Sequence, residues 1–357
     1  MATIEAELDL EKLNEFVFRA VDEVGATLNT ALVVMGDRLG LYRALAGAGP
    51  LTPAELARRT GTAERYVREW LNAQAAGGYV EYDADSCRYS LPPEQAIALT
   101  DESSPAYLPG FFQLALGSVI DSPRITEAAR SGDGIGWHDH VHDVHEGCER
   151  FFRPSYHANL LTEWLPALDG VVEKLERGAS VADVGCGHGA STVLMATAFP
   201  GSRFRGFDYH DASVETARER AKAAGLDGSV EFATAPAASY SGDGYDLVTM
   251  FDCLHDMGDP LGAARHVRST LAPDGTWMIV EPRAGDRVEE NLNPVGRAYY
   301  GFSTFLCTPS SLAQEVGLAL GAQAGEARIR EVVLGAGFSS FRRVAETPFN
   351  MVFEAKP

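Results

Sequence analysis

Apolar side chains between residues 10 and 30 recur at three- and four-residue spacing (Leu13, Phe16, Ala20, Val24, Leu28), which predicts an amphipathic helix. A second helical run, "ALVVMGDRLGLYRAL", follows and is closed by Gly47, Gly49 and Pro50. In "LTPAELARRTGTAERYVREWLNAQAAGGYV" two helix starts are expected, one capped by Thr52 before Pro53 and one capped by Thr62, with Gly61 in the turn between them. "YVEYDADSCRYSLP" then alternates as a two-stranded ribbon with a polar tip. Helix–turn–helix plus ribbon is a winged-helix pattern. From about Val171 the pattern changes to short apolar runs ("SVADVG", "RFRGFD", "SVEFAT", "YDLVTMF", "TWMIVE") separated by helical segments such as "ASVETARERAKAAG". That alternation predicts an α/β doubly wound sheet. Three regions are therefore expected: 1–100, a winged-helix domain; 101–165, a connecting region rich in Gly, Pro and aromatics; and 166–357, the α/β domain.

Composition narrows the classes of function. The chain has 357 residues, 45% hydrophobic and 22% charged, with a formal net charge of −20. A globally acidic protein repels phosphate backbones and anionic membranes. The winged-helix pattern would ordinarily suggest DNA, but between Ala31 and Pro92 seven Arg (Arg38, Arg43, Arg58, Arg59, Arg65, Arg68, Arg88) meet seven acids (Asp37, Glu55, Glu64, Glu69, Glu81, Asp83, Asp85). A DNA reader shows a basic footprint on its recognition helix. This segment has none, so packing against a second subunit or the rest of the chain is the simpler expectation. "MATIEAELDLEKL" lacks the basic and apolar regions of a signal peptide, and no apolar run approaches the ~20 residues that span a bilayer. Five scattered cysteines, with no C-x-x-C, point to reduced thiols in a cytoplasmic protein.

Candidate chemistry begins at "VADVGCGHGAS", a strand, then Gly185-x-Gly187-x-Gly189, then a helix. Glycines are needed where the backbone turns sharply and a ligand approaches the main chain. Asp208 ends the next strand, 19 residues after Gly189, where an acid can accept both hydroxyls of a ribose. The loop carries no basic residue, and Asp183 just upstream disfavours phosphates but suits an ammonium group. A nucleoside with a positively charged tail fits better than a dinucleotide.

Residues 171–357 resemble the class I S-adenosylmethionine-dependent methyltransferases, through "VADVGCGHG", Asp208, "YDLVTMFDCLHD", "LAPDGTWMIVEP" and the tail "AGFSSFRRVAETPFNMVFEA". With the winged helix in front, all 357 residues are similar to the O-methyltransferase-like subgroup. The resemblance implies a Rossmann-like domain, a homodimer formed through the N-terminal domain, and S-adenosyl-L-methionine as cofactor. It places Asp183, Gly185, Cys186, Gly187, Gly189, Asp208, Tyr209, Thr234, Ala235, Phe251 and Asp252 around that cofactor. The acid that often contacts adenine after the third strand is replaced here by "EFATAPAAS", leaving Thr234 or the backbone near Ala235.

The same resemblance implies the acceptor chemistry. His255 in "FDCLHDMGDP" corresponds to the subgroup's general base, with Asp256 beside it and Glu281 framing it. Met257 stands where the subgroup has Trp, and Glu326 lies near, but a few residues off, the position of a second framing acid. Aromatics of the insert at 296–317 (Tyr299, Tyr300, Phe302, Phe305) suit a flat or apolar small-molecule acceptor, or belong to the core. Two other functions stay open: a winged-helix regulator with S-adenosylmethionine as effector, and an enzyme of this fold that binds the cofactor without methylating.

"GWHDHVHDVHEGC" holds His138, His140, His142 and His145. As a helix it gathers His138, His142 and His145 on one face, and as a strand His138, His140 and His142. Metal sites draw ligands from separate elements and methyl transfer needs no metal, so none is expected. The stretch is expected to be a surface loop or a wall of the substrate cleft.

Overall fold

The structure is a computed structural model and describes residues 8–357. Positions 1–7, the start of the stretch read for a targeting signal, lie outside the described residues. Two compact units divide between Leu116 and Gly117, so the connecting region expected at 101–165 is shared between them.

In the first unit the two expected opening helices are largely one: α1 (Leu10–Arg38) runs unbroken, followed by the short α2 (Leu41–Leu45). Both runs have helical periodicity and nothing between Leu28 and Val33 breaks it. α3 (Pro53–Thr60) opens with a capping box, in which Thr52 and Glu55 satisfy each other's backbone N–H groups. The expected cap at Thr62 is corrected: α4 (Glu64–Ala76) is entered from Ala63, and the Thr62 hydroxyl bonds that of Thr60 at 2.8 Å. On α4, Arg65 pairs with Glu69 and Arg68 with Glu64, one turn apart. The ribbon is β1 (Glu81–Asp83) and β2 (Arg88–Ser90), and α5 (Pro93–Thr100) follows. Val33, Leu41, Tyr42, Leu56, Trp70 and Leu71 make this unit's core. The apolar face of α1 is left uncovered: Phe16, Phe18, Val21, Val24 and Leu28 are 57–73% exposed.

Helix α6 (Pro109–Ile120) spans the division, and α7 (Ser122–Ser131) and α8 (His142–Asn159) belong to the second unit. After a π-turn at Leu160–Trp164 and α9 (Val171–Arg177), strands and helices alternate. They run β3 (Ser180–Val184), α10 (Ala190–Ala198), β4 (Arg203–Asp208), α11 (Asp211–Ala223), β5 (Val230–Thr234), β6 (Tyr245–Phe251), α12 (Pro260–Thr270) and β7 (Leu271–Pro282). The insert forms α13 (Pro294–Phe302), a second π-turn at Ser303–Cys307 and α14 (Thr308–Leu312). Helix α15 (Gly325–Gly335) precedes the closing strands β8 (Ser340–Glu346) and β9 (Asn350–Lys356).

The seven strands are ordered β5-β4-β3-β6-β7-β9-β8, and only β9 runs against its neighbours. Because β3 starts the sheet in its middle and the chain returns to the other side at β6, the carboxyl ends of β3 and β6 flank the switch point where such sheets bind ligands. Core side chains lie on both faces, Val181, Leu247, Met278 and Val352 on one, and Val184, Val248, Ile279 and Phe353 on the other. That two-sided burial is why these strands read as continuous apolar runs.

Candidate active site

The glycine loop leaves β3 and turns through three residues of positive φ, Gly185 (75°), Gly187 (51°) and Gly189 (74°). At two of them a side chain would also collide: a Cβ at Gly185 would sit 2.6 Å from Cys253 Sγ, and at Gly189 2.8 Å from the Phe232 ring. Gly187 is different, because nothing lies within 4 Å of its missing Cβ. The backbone there faces open space, as a ligand approaching the main chain requires.

Asp208 at the end of β4 clamps this loop. One carboxylate oxygen accepts the Gly187 N–H at 2.9 Å and the other the His210 N–H at 2.9 Å. Each oxygen has a second lone pair left for a hydroxyl. Burial raises the Asp208 pKa, and the amides of His210 and Gly187 pull it back down. Cys186 is buried, with its N–H donated to the Phe207 carbonyl at 3.0 Å. Tyr209 is 42% exposed at the rim. The Ala235 N–H donates to the Asp208 carbonyl at 2.9 Å, whereas the exposed Thr234 hydroxyl donates to Asp211 at 2.7 Å.

Asp183 sits differently from its expected role. Its carboxylate accepts hydroxyls from Ser191 (2.7 Å), Thr192 (2.6 Å) and Thr249 (2.9 Å), so it ties α10 and β6 to β3. These three bonds, with its burial, anchor the carboxylate inside the protein, where it braces the loop. Asp252 is held by side chains from outside the sheet's glycine turn. It follows the buried Phe251, holds a non-glycine φ of 50°, and accepts the Tyr156 hydroxyl at 3.2 Å and the Asn350 amide at 2.7 Å. Such a backbone is strained, and strain of this kind gathers at functional sites. Burial, then the nearby Glu281, holds Asp252 well above the usual carboxylate range. The buried Asn350 Oδ1 has no hydrogen-bond partner among the described residues. An acceptor without a donor, an acid short of a cation and an open glycine cradle together fit a nucleoside with a cationic amino-acid tail.

At the carboxyl end of β6, His255 is 4% exposed and its Nδ1 lies 2.7 Å from Glu281 Oε2. The other Glu281 oxygen accepts the Leu254 N–H at 3.0 Å, which fixes the carboxylate. A carboxylate only accepts, so Glu281 holds the proton on Nδ1 and leaves Nε2 as the reactive nitrogen. Burial alone would lower the His255 pKa, but the Glu281 charge and the nearby Cys307 thiol carry it well above its ordinary value. Asp256, half-buried beside it, is pushed up to about 7 by burial, with His255 opposing and Glu281 reinforcing. Glu326 does not frame His255: its carboxylate is taken by Arg330 (2.8 Å) and Arg343 (3.2 Å). Of the insert's aromatics, Tyr299 is buried with its hydroxyl on the Phe349 carbonyl at 3.0 Å, and Phe302 and Phe305 are half-buried.

Neither alternative reading of the histidine stretch holds throughout. His138 lies in a short 3-10 turn and is exposed, His142 opens α8 and is exposed, and His140 is buried with Nδ1 2.6 Å from Asp121. His145 stacks on His210 at 4.8 Å, two residues beyond Asp208. The four rings therefore form no single cluster: His140 and His145 both pack on Trp137, and His138 and His145 reach Tyr209 and His210, just beyond Asp208. Sequence reasoning missed Tyr156, Cys307 and Asn350 as members of the site, because each arrives from an element with no recognisable motif, whereas His145 lies in the stretch expected to be a surface loop or a cleft wall.

The strand order and the glycine loop are those of a class I Rossmann-like sheet, in a chain whose first unit carries a winged helix. In agreement, residues 27–101 match the family described as Rv2258c-like winged HTH domain, and residues 175–314 match the family described as Methyltransferase domain. Among individual proteins, the chain is 35% identical over 111 residues to the trans-aconitate 2-methyltransferase of Paracidovorax citrulli, 30% of this chain and 40% of that protein. It is 30% identical over 131 residues to the 27-O-demethylrifamycin SV methyltransferase of Amycolatopsis mediterranei, 34% and 48% of the two chains. The matched region thus spans less than half the length of these relatives. Whole-chain likeness appears in solved structures: human N-acetylserotonin methyltransferase in complex with SAM (TM-score 0.69, 16% identity, 100% of this chain and 99% of that one). The mitomycin 7-O-methyltransferase is similar to the same degree (TM-score 0.69, 18% identity, 98% and 100% covered). At these identities the likeness is one of fold.

Proposed function

We propose that the protein transfers the methyl group of S-adenosylmethionine to an oxygen of a small-molecule acceptor, with His255 as general base. The observation that carries this reading is the His255–Glu281 pair, buried at the carboxyl end of the central strands beside the glycine loop and Asp208. The bound cofactor supplies an activated methyl on a sulfonium, whose leaving group is neutral. The protein's part is to align the acceptor and remove its proton. Glu281 fixes the tautomer and orientation of His255, so that Nε2 receives the acceptor proton and the resulting imidazolium is stabilised by the carboxylate. Asp208 and the amides around Gly187 hold the nucleoside, and Asp252 with Asn350 meets the amino-acid tail. Asp183 serves as a positioning group for the loop.

The uncovered apolar face of α1 supports a homodimer formed through the N-terminal unit, since a monomer seldom exposes so large an apolar patch. The ion pairs on α4 neutralise the arginines that a DNA reader would present, which favours the small-molecule reading over a regulator. Free thiols at all five cysteines fit a reducing, cytoplasmic setting. No helix of the described residues is long and apolar enough to cross a membrane.

Transfer of labelled methyl from S-adenosylmethionine to a panel of phenols, carboxylic acids and amines tests the activity. Because the His255 pKa lies above its ordinary value, the neutral base is gained as pH rises, and turnover should climb through and above neutrality. His255→Ala should lower turnover by ~10²–10⁴-fold and abolish that climb, with S-adenosylmethionine affinity within about twofold of wild type. Equal pH profiles in both proteins remove the base role, and an absence of transfer to any acceptor removes the activity.

A further inference from the structure

His255 has a second set of neighbours that base catalysis does not use. One of its ring nitrogens, a carboxylate oxygen of Asp256 and the thiol of Cys307 all lie within 4.8 Å of one another. His255 and Asp256 come from the short turn after β6, and Cys307 from the end of the π-turn at Ser303–Cys307. An extra residue in a helical turn of this kind re-aims a side chain, and such turns recur at functional sites. Here the thiol is buried and placed within hydrogen-bonding reach of the imidazole. Among the described residues this is the one group of three or more His, Cys, Asp or Glu side chains whose ligand atoms converge so closely. The four histidines of "GWHDHVHDVHEGC" form no such group.

We propose that His255, Asp256 and Cys307 form a site for a soft divalent transition metal of the Zn²⁺ class. Nitrogen, thiolate and carboxylate donors from two separate elements are the donor set that such ions prefer over Mg²⁺ or Ca²⁺. Three protein ligands leave one position of a tetrahedron open. With Nδ1 engaged by Glu281, Nε2 is the His255 nitrogen that can ligate once its proton has left, and the carboxylate–imidazole pair is the arrangement that orients a metal-bound histidine. Bond lengths of ~2.0–2.3 Å put tetrahedral ligands about 3.3–3.8 Å apart, so the cluster must contract by about 1 Å. Rotation of the Asp256 and Cys307 side chains is the movement this requires. On binding, the Cys307 thiol and the His255 imidazolium each give a proton to solvent, and the thiolate and Nε2 bond the ion.

The proposal stands independently of the methyltransferase reading, but it bears on it. Nε2 serves either as base or as ligand, never both at once. A bound ion therefore withdraws His255 from proton transfer, and the two uses of the site exclude each other.

The test is a Co²⁺ titration of chelator-dialysed, untagged full-length protein, read by the near-ultraviolet thiolate-to-cobalt charge-transfer band. One equivalent should bind, with the band abolished by added Zn²⁺ and unaffected by a large excess of Mg²⁺. Cys307→Ser should lose the band and weaken Zn²⁺ binding at least tenfold. Asp256→Asn should keep the band and bind more weakly. Circular dichroism and calorimetry with S-adenosylmethionine accompany each variant, so that a misfolded protein is recognised. Retained S-adenosylmethionine binding with no band, or a band unchanged in Cys307→Ser, overturns the metal site alone. Failure to bind S-adenosylmethionine in wild type overturns the functional reading and leaves the cobalt result intact.

Discussion

Replacing Asp208 by Ala isolates the part of the site that sequence and structure describe most fully. The carboxylate has two jobs in the proposed function: its oxygens accept the Gly187 and His210 amides, each at 2.9 Å, and their remaining lone pairs are left for the hydroxyls of a ribose. Hydrogen bonds to a charged group are each worth ~1.5–3 kcal/mol net, but water replaces part of what is lost at an open site. Release of the two backbone amides loosens the loop further. The sum is a loss of about 1–3 kcal/mol in cofactor binding, or ~5–150-fold in Kd. Asp208→Asn keeps one accepting oxygen and should fall between Ala and wild type. Isothermal titration with S-adenosylmethionine and, separately, with S-adenosylhomocysteine reads the effect. Because the ribose is common to both, the two ligands should weaken equally. A loss confined to the sulfonium ligand would mean that Asp208 acts as a distant charge and not as the ribose acceptor. Unchanged affinity for both, in a protein that melts like wild type, would refute the assignment outright.

Two glycines of the same loop should separate stability from binding. Gly185→Ala combines a positive φ with a 2.6 Å clash against Cys253 and should cost ~2–4 kcal/mol of stability, seen as a lowered Tm without ligand. Gly187→Ala meets no neighbour, so its stability loss should stay near ~1 kcal/mol while cofactor affinity drops; the reverse ranking would show that Gly187 does not face the ligand. On α1, a Phe18→Glu, Val24→Glu double variant places two charges on the uncovered apolar face. Light scattering should show a dimer in wild type and a monomer in the variant, and a monomeric wild type would end the dimer reading.

Much of the second unit was legible in the sequence. Both faces of its sheet are covered, so the strands are continuous apolar runs, and the glycine loop has a fixed place between β3 and α10. The winged helix was legible in outline, through Thr52–Pro53 and the alternating ribbon, but not in its caps. Thr62 has the right residue type for a cap and one position closer to the helix, Ala63, takes the role, because helix boundaries depend on packing as well as on side-chain chemistry.

What the sequence determined by itself was local and periodic: where strands and helices fall, where only glycine can turn, and which acid follows the loop by a fixed spacing. What tertiary structure decided was which side chains share a site across long separations. Glu281 meets His255 across 26 residues, and Asn350 meets Asp252 across 98. It also turned Asp183 inward onto three hydroxyls and sent Glu326 to two arginines. The histidine stretch, prominent as a string of letters, forms no single cluster because a turn and a helix start divide it, leaving His138 and His142 exposed and His140 and His145 buried. Periodicity is written in neighbouring residues, whereas convergence depends on the angles at which whole elements pack, and no short segment of sequence carries those.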